Sequence, residues 1–390
     1  MRSWQTEASS GETGFANARI VLADEVVHGS LKVEDGAIVA IDSGRSVMPG
    51  AIDLDGDYLI PGLIDLHTDN LEKHFQPRKG VFWDGVAAAL SHDAQVLAAG
   101  ITTVFDSLTL GAADGWDSRT EMVQPMIDGM TEAHEHGLLR ADHFLHLRCE
   151  VTHPAITSTV EQVVDHPLVR FMSLMDHAPG DRQSPDVERY RSFYLPAFNH
   201  DELALDRHIE DLVTKSRTIG PENRRALAAL GQVRAVPLAS HDDSRIEHVE
   251  EAAELGCTMT EFPTTVEAAS AARALGLKVL MGGPNLIRGG SHTGNVAAGD
   301  LASSGHLNIF ASDYIPSSML AAAFKLTEAP FSWALPRAVQ TVTREPAEAT
   351  GLGANRGTIA PGLRADLVRV ALINRRPVVR AVWRQGARIL

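Results

Sequence analysis

Eight short apolar runs recur along the chain, at residues 59–67, 101–106, 143–151, 168–175, 235–240, 258–263, 278–282 and 307–313. Each has the length and content of a buried strand, and most are separated by stretches with helical periodicity. Residues 85–99 are Ala-rich and close at Gly100. Residues 121–136 carry Met122, Met126, Met130 and Ala133 near one face, as core filling, and close at Gly137. Ser244-x-x-Glu247 and Thr264-x-x-Glu267 read as capping boxes that open helices ending at Gly256 and Gly276. Strand and helix alternating eight times is the rhythm of a (β/α)₈ TIM barrel. A doubly wound open sheet is the next reading, but no G-x-G-x-x-G follows any of these strands.

The two ends of the chain have a different texture. Residues 15–60 read as short strands and turns, with Glu34-Asp35-Gly36 as a hairpin turn, and residues 355–390 repeat that style. The ends are therefore expected to pair into one small β domain, with residues 61–354 inserted as the barrel. Residues 1–14 read as a disordered polar tail. Residues 184–231 lie between the fourth and fifth strands and read as helical excursions, a lid or an oligomer contact.

Composition excludes several classes of function. The 390 residues carry a formal net charge of −15, which argues against a general nucleic-acid or membrane-surface binder. No apolar run approaches the roughly 18 residues of a membrane span, and the start of the chain lacks a signal-peptide core. Cys149 and Cys257 are the only cysteines, too few for a disulfide framework, so a reduced cytoplasmic setting is expected. An anionic small substrate stays admissible, because a basic pocket can sit on an acidic protein.

The chemistry gathers at the strand ends, where α/β barrels keep their active sites. The first strand runs into Asp65-Leu66-His67-Thr68-Asp69-Asn70-Leu71-Glu72-Lys73-His74. In an extended strand His67 and Asp69 point the same way. The third run places His146, Arg148 and Glu150 on one face and Leu145, Leu147 and Cys149 on the other; a polar interior face is costly without a partner, so convergence on a metal or substrate is expected. The fourth closes with Asp176 and His177, the fifth with His241, Asp242 and Asp243, and the eighth with Asp313. Mixed imidazole and carboxylate donors suit one or two divalent ions, Zn first with Mn or Fe as alternatives. Such a pair of ions activates water and holds attacking and leaving oxygens. Asp313 is the natural general base.

After the seventh strand comes Pro284-Asn285-Leu286-Ile287-Arg288-Gly289-Gly290-Ser291-His292-Thr293-Gly294-Asn295. Backbone amides of a Gly-rich loop, with Arg288, Ser291, His292 and Thr293, suit phosphate oxygens. Barrels hold phosphate near the seventh and eighth strands. Lys73, His74, Arg78, Lys79 and Arg182 would add positive charge around the same mouth, with Lys79 read as solvated surface.

Taken together, the split β domain, the Pro61-Gly62-Leu63-Ile64-Asp65-Leu66-His67 strand, the segment Thr343–Leu352 and the closing run Gly357–Val368 resemble the amidohydrolase superfamily. Within it, HTDNLEKH, PRKGVFWD, HDAQVLAAGITTVFDS, LRCEV, MDHAPGDRQ, SHDD, TEFPTTVEAA and PNLIRGGSHTGNVAA resemble the diphosphatases that act on α-D-ribose 1-methylphosphonate 5-triphosphate in phosphonate breakdown. The resemblance implies an amidohydrolase-type barrel with a small β-sandwich domain built from both chain ends. It also implies hydrolysis of the triphosphate arm to the 5-phosphate and diphosphate. It implies His67, Asp69, Glu150, His177, His241 and Asp313 as metal ligands, with Glu150 as bridge where many members use a carboxylated lysine. His67-Thr68-Asp69 replaces the usual His-x-His, and Glu261-Phe262 stands where the sixth strand usually offers histidine. Arg288 and the loop Gly289, Gly290, Ser291, His292, Thr293 would clamp the polyphosphate. The expected partners are a small phosphorylated substrate and a second copy in a homodimer. The competing expectations are a superfamily hydrolase or deaminase acting on a cyclic amide or nucleobase, and a metal-free barrel serving as a scaffold.

Overall fold

The computed structural model describes residues 11–44, 49–111, 117–291 and 294–390. Two eight-stranded sheets organise them. The first combines both chain ends: β1 (Glu12–Val21), β2 (Val26–Glu34), β3 (Ala37–Ser43), β4 (Ile52–Asp53) and β5 (Tyr58–Pro61) join β14 (Leu367–Ile373), β15 (Arg376–Arg384) and β16 (Ala387–Arg388). Its order is β16-β15-β14-β5-β1-β2-β3, with β4 against β1. The mixed character follows from the connection, since β5 runs parallel to β1 and antiparallel to β14. The sheet curls until its turns meet: a Cβ on Gly36, at φ +78°, would lie 3.1 Å from the Gln385 carbonyl oxygen. Phe15 and Trp383 pack edge to face at 4.9 Å inside it, amid Leu31, Leu59 and Leu367. β1 begins at Glu12, so the stretch expected as tail shortens by its last three residues.

The second sheet is the barrel. Its strands are β6 (Leu63–Thr68), β7 (Ile101–Leu110), β8 (Asp142–Glu150), β9 (Val169–Met175), β10 (Leu238–His241), β11 (Met259–Glu261), β12 (Lys278–Gly282) and β13 (Ile309–Ala311). All neighbours are parallel, in chain order. A parallel bridge between Thr68 and Asp313 brings the two edges together. Asp65 reinforces the seam, its Oδ1 accepting from the Ser312 amide at 3.0 Å. The eight expected runs are these eight strands, with one amendment. The run 59–67 is two strands in two sheets, divided at Gly62. A Cβ on Gly62 would lie 2.1 Å from Thr102 Oγ1, so the crossing needs glycine.

Packing separates three layers. Leu145, Leu147 and Cys149 face outward from β8 into the layer between barrel and helices, with Met122, Met126, Met130 and Ala133. Phe105, Phe171, Met259, Leu280 and Ile309 fill the barrel's interior below its mouth. Two of the helix starts differ from the expected capping boxes. The helix Val266–Ala274 is capped by Thr265, whose Oγ1 accepts from the Ala268 amide at 3.0 Å, one residue later than expected. The helix Ile246–Glu254 has no side-chain cap, because the Ser244 hydroxyl donates to Asp181 instead.

Candidate metal centre and phosphate mouth

The carboxyl ends of the barrel strands surround a cavity of about 580 Å³. His67, Asp69, Glu150, His177, His241 and Asp313 all line it, as do Arg148, Asp242 and Phe262. Its volume suits a small organic ligand. Three strand-end residues that line it hold φ above +50°: Asp242, Phe262 and Asp313. A non-glycine residue in that region stores backbone strain, which concentrates where side chains must be aimed.

His67 and Asp69 reach the cavity by a different route from strand alternation. β6 ends at Thr68, and Asp69 has already turned, at φ −89° and ψ 11°, into the helix Asn70–Phe75. The turn still leaves His67 Nε2 only 3.8 Å from Asp69 Oδ1. His67 Nδ1 lies 3.1 Å from Glu261 Oε1. Asp313 arrives from the far side of the barrel seam, where the Asp69 amide donates to its carbonyl at 2.8 Å. Gly282 leaves room for it, since a Cβ there would sit 3.2 Å from Asp313 Oδ2.

Two groups of donors overlap at the mouth. His67, His241 and Glu261 place one ligand atom each within 4.8 Å of one another, and so do His67, Asp69 and Asp313. On the other side, His177, His241 and Asp242 form a further group within the same span, so His241 belongs to both sides. The His241 Nδ1–H donates to Asp242 Oδ2 at 2.6 Å, which turns Nε2 inward as a lone pair. Nε2 is buried without a hydrogen-bond partner, as is Glu261 Oε2. Buried orphaned donor atoms beside mixed imidazoles and carboxylates are the arrangement a divalent ion satisfies. The residues fit such a group.

Electrostatics agree. Burial and the neighbouring Asp69 push the Asp313 carboxyl up to about 7. Burial works against a charge on His177, but its hydrogen bond to Glu150, with the charges of Glu150 and Asp242, outweighs it and raises the imidazole to about 9. Burial likewise opposes ionisation of Glu261, yet His146 and His67 bring it down to about 2. Beneath the mouth, His146 is held between Ser107 and Ser173, and burial lowers it to about 3. It occupies the interior and does not line the cavity.

Several expected ligands are placed elsewhere. Arg182 is buried, its Nη1 donating to Asp243 Oδ1 at 2.7 Å and to the His241 carbonyl at 3.2 Å. It braces the end of β10 rather than binding phosphate. His74 Nε2 lies 2.9 Å from Gln95 Oε1, and Arg78 sits in an exposed bridge with Val81, so neither lines the cavity. Lys73 donates to the Tyr314 carbonyl at 2.6 Å beside the mouth but does not line it. Glu150 is taken up by His177 Nδ1 at 2.8 Å and by Thr152 Oγ1 at 2.7 Å, and it joins none of the donor groups.

After β12, Arg288 closes the helix Gly283–Arg288, and Arg288, Gly290 and Ser291 line the cavity while Gly289 does not. His292 and Thr293 lie outside the described residues. Gln183 and Tyr194 reach the cavity from the long excursion, whose helices are Val187–Tyr194, Glu202–Thr218 and Gly220–Arg234.

Glu261 and Asp242 are the site residues least visible in the sequence. Glu261 ends β11 directly beside His241, its registered partner on β10, and that level in the barrel is the signal that marks it.

A second cluster, His92, Asp106 and His143, also satisfies the spacing of a metal group. Asp106 is used up inside it: His92 Nε2 and His143 Nδ1 lie 2.6 Å and 2.8 Å from its two oxygens, while His143 Nε2, 3.5 Å from Asp93 Oδ1, is buried without a hydrogen-bond partner. All three are fully buried, and Asn70 donates to His92 Nδ1 at 2.9 Å.

No family model matches the chain. It is 44% identical over 374 residues to the α-D-ribose 1-methylphosphonate 5-triphosphate diphosphatase of Escherichia coli K12, covering 96% of this chain and 99% of that protein. Among solved structures it is similar to a 5-methylcytosine deaminase from Klebsiella pneumoniae, at TM-score 0.64 and 16% identity over 97% of this chain and 98% of that one. An N-isopropylammelide isopropylaminohydrolase from Burkholderia multivorans matches at TM-score 0.64, 16% identity and the same coverage. At that identity these two likenesses describe the barrel architecture alone.

Proposed function

The chain belongs to the α-D-ribose 1-methylphosphonate 5-triphosphate diphosphatase family of the amidohydrolase superfamily, and from that premise we propose how its residues carry out the reaction. It is a phosphoric anhydride hydrolase that converts the 5-triphosphate to the 5-phosphate and diphosphate. The observation that carries this reading is one cavity lined both by imidazole and carboxylate donors and by Arg288, Gly290 and Ser291. Metal donors and phosphate-binding groups share it.

His67, Asp69, Glu261 and Asp313 would hold one divalent ion, and His177, His241 and Asp242 a second, with zinc as the proposed metal. When bound, such ions supply Lewis-acid polarisation of a phosphoryl oxygen and a more acidic water. Glu150 orients His177 through its hydrogen bond to Nδ1. Asp313, raised to about 7 by burial and Asp69, is poised to take a proton from the attacking water near neutral pH. The water oxygen bonds to the α-phosphorus as the bridging oxygen leaves with diphosphate. Arg288 and the amides of Gly290 and Ser291 take up the growing charge on that leaving group. Tyr194 and Gln183 cover the mouth from the excursion.

The protein is further proposed to work as a homodimer in the cytoplasm. Phe193, 75% exposed on the outer face of the excursion, supplies an apolar contact. The free, buried Cys149 and Cys257 suit a reduced setting.

Purified, zinc-loaded protein offered α-D-ribose 1-methylphosphonate 5-triphosphate should release diphosphate, and it should release no ammonia from cytosine. Ammonia without diphosphate would sink the reading in favour of a deaminase.

A further inference from the structure

Among the described residues, Arg148 is the arginine that lines the cavity from a barrel strand. It projects from β8 beside Thr109 of β7, its registered neighbour, and both line the cavity. The residue is only 8% exposed. Its Nη1 donates to Asp69 Oδ1 at 2.8 Å, while its Nε is buried with no partner. Thr109 Oγ1, at the same level of the barrel, is also buried without a partner.

A cation in this position demands an explanation. The surrounding His67, Asp69, His177 and Asp313 form the wall suited to divalent ions, and a buried guanidinium beside such ions costs Coulombic repulsion as well as desolvation. One bond to Asp69 uses one of its five N–H donors. A hydrolase for amides or bases gains little from this charge, because its substrate carbonyl is neutral and needs polarising at a single oxygen. A phosphoryl group is different. It is anionic and presents paired oxygens that match the planar fork of arginine.

We propose that Arg148, assisted by the Thr109 hydroxyl, is a catalytic residue that contacts the non-bridging oxygens of the phosphoryl group under attack. This rests on the diphosphatase reading and deepens it by dividing the labour of two arginines. Arg288, exposed at the rim, holds the leaving diphosphate. Arg148, deep in the mouth, neutralises the group that stays on the sugar. Because negative charge on those oxygens shifts during displacement, the contact is worth most in the transition state and its loss appears mainly in kcat.

The test compares wild-type, Arg148→Gln, Arg148→Lys and Thr109→Val proteins, each zinc-loaded, on α-D-ribose 1-methylphosphonate 5-triphosphate. Bound zinc is measured on the same samples. The expected result is a kcat loss on the order of 10²–10³-fold for Arg148→Gln, with KM changed by only a few fold and zinc content equal to wild type. Arg148→Lys should recover part of that loss, since a point charge replaces the fork, and Thr109→Val should lose roughly 10-fold. If Arg148→Gln instead loses zinc in proportion to its activity, Arg148 serves only to position Asp69 and the proposal is overturned. Near-normal kcat in both Arg148 variants overturns it as well. Should Arg148→Gln fail to fold, the Lys variant carries the same comparison: full activity overturns the need for a fork, and reduced kcat at full zinc upholds it. Failure of the wild type to release diphosphate would overturn the underlying reading, an outcome separate from all of these.

Discussion

A histidine nitrogen becomes a dependable ligand when its other nitrogen is tied to an acceptor, and His241 meets that condition through Asp242. Asp242→Asn removes the acceptor charge and frees the ring to turn. Zinc affinity, read by competition with a chromogenic chelator, should fall about 10–100-fold. His177 adds a pH dependence. Its imidazole is raised to about 9 before any ion binds, so an incoming cation must displace a proton. Zinc affinity should therefore weaken as pH falls below about 9, and Glu150→Gln, which removes the group that raises His177, should flatten that slope. The same variant should abolish turnover while the fold persists by circular dichroism; near-normal diphosphate release would remove Glu150 from the machinery. At this scale the sequence was legible for imidazoles and poor for carboxylates and arginines. His67, His177 and His241 stand out as a set across several strand ends, whereas a single buried histidine serves as readily in structure, as His92 and His143 do. Asp and Glu are common in every loop, so Asp242 and Glu261 acquire meaning only from their level in the barrel. Arg182 looks like a phosphate ligand in one dimension, but its backbone sits at φ +45° and its guanidinium turns inward to Asp243.

Among elements, β7 and β8 are fastened by charge as well as by backbone bonds. Asp106 sits between His92 and His143, and His143 Nε2 lies 3.5 Å from Asp93. Burial opposes charge on His143, but Asp106 and Asp93 prevail and raise it to about 9. Burial also opposes ionisation of Asp106, and the two imidazoles hold it below the ordinary carboxylate range. A histidine whose folded pKa is raised lends stability that is complete below its unfolded value near 6.5 and disappears as pH climbs through about 9. A depressed aspartate works in the opposite direction, its contribution vanishing as pH falls through the folded value. The melting temperature should thus decline between about pH 7 and pH 10. Asp106→Asn, which strands an imidazolium in the core, should cost about 3–5 kcal/mol in chemical denaturation and remove that alkaline decline. Strand and helix identities could be read from periodicity because burial dictates them. The two capping boxes could not be placed so well. Thr264 has the S/T-x-x-E spacing to Glu267, yet its hydroxylic neighbour Thr265 takes the cap by accepting from the Ala268 amide, and a competing acceptor claims Ser244.

For the whole molecule, metal and stability are linked by mass action. Ions that bind only the folded barrel stabilise it by roughly 2.7 kcal/mol at a hundredfold excess over Kd. Stripping the divalent metal with a chelator should lower the melting temperature by several degrees along with activity, and adding the metal back should restore both. The pairing of chain ends was legible because both ends share a strand-and-turn texture without helical period. The division of the first run between two sheets was not, since apolar residues flank Pro61-Gly62 on both sides and that break alone marks the crossing. Gly62→Ala would drive a methyl into Thr102 and is expected to cost about 1–3 kcal/mol.

That crossing also sets a schedule for synthesis. β5 and β6 are separated by a single residue, yet β5 obtains its antiparallel partner from β14, which is translated after the entire barrel. The strand that carries His67 is therefore held at its near end by β1 from the start, and its second edge waits for a segment the ribosome has still to deliver. Contacts so distant along the chain form slowly. A nascent barrel would hold that strand by β1 on one side and β7 on the other, and the near end would be fully paired only when β14 arrives.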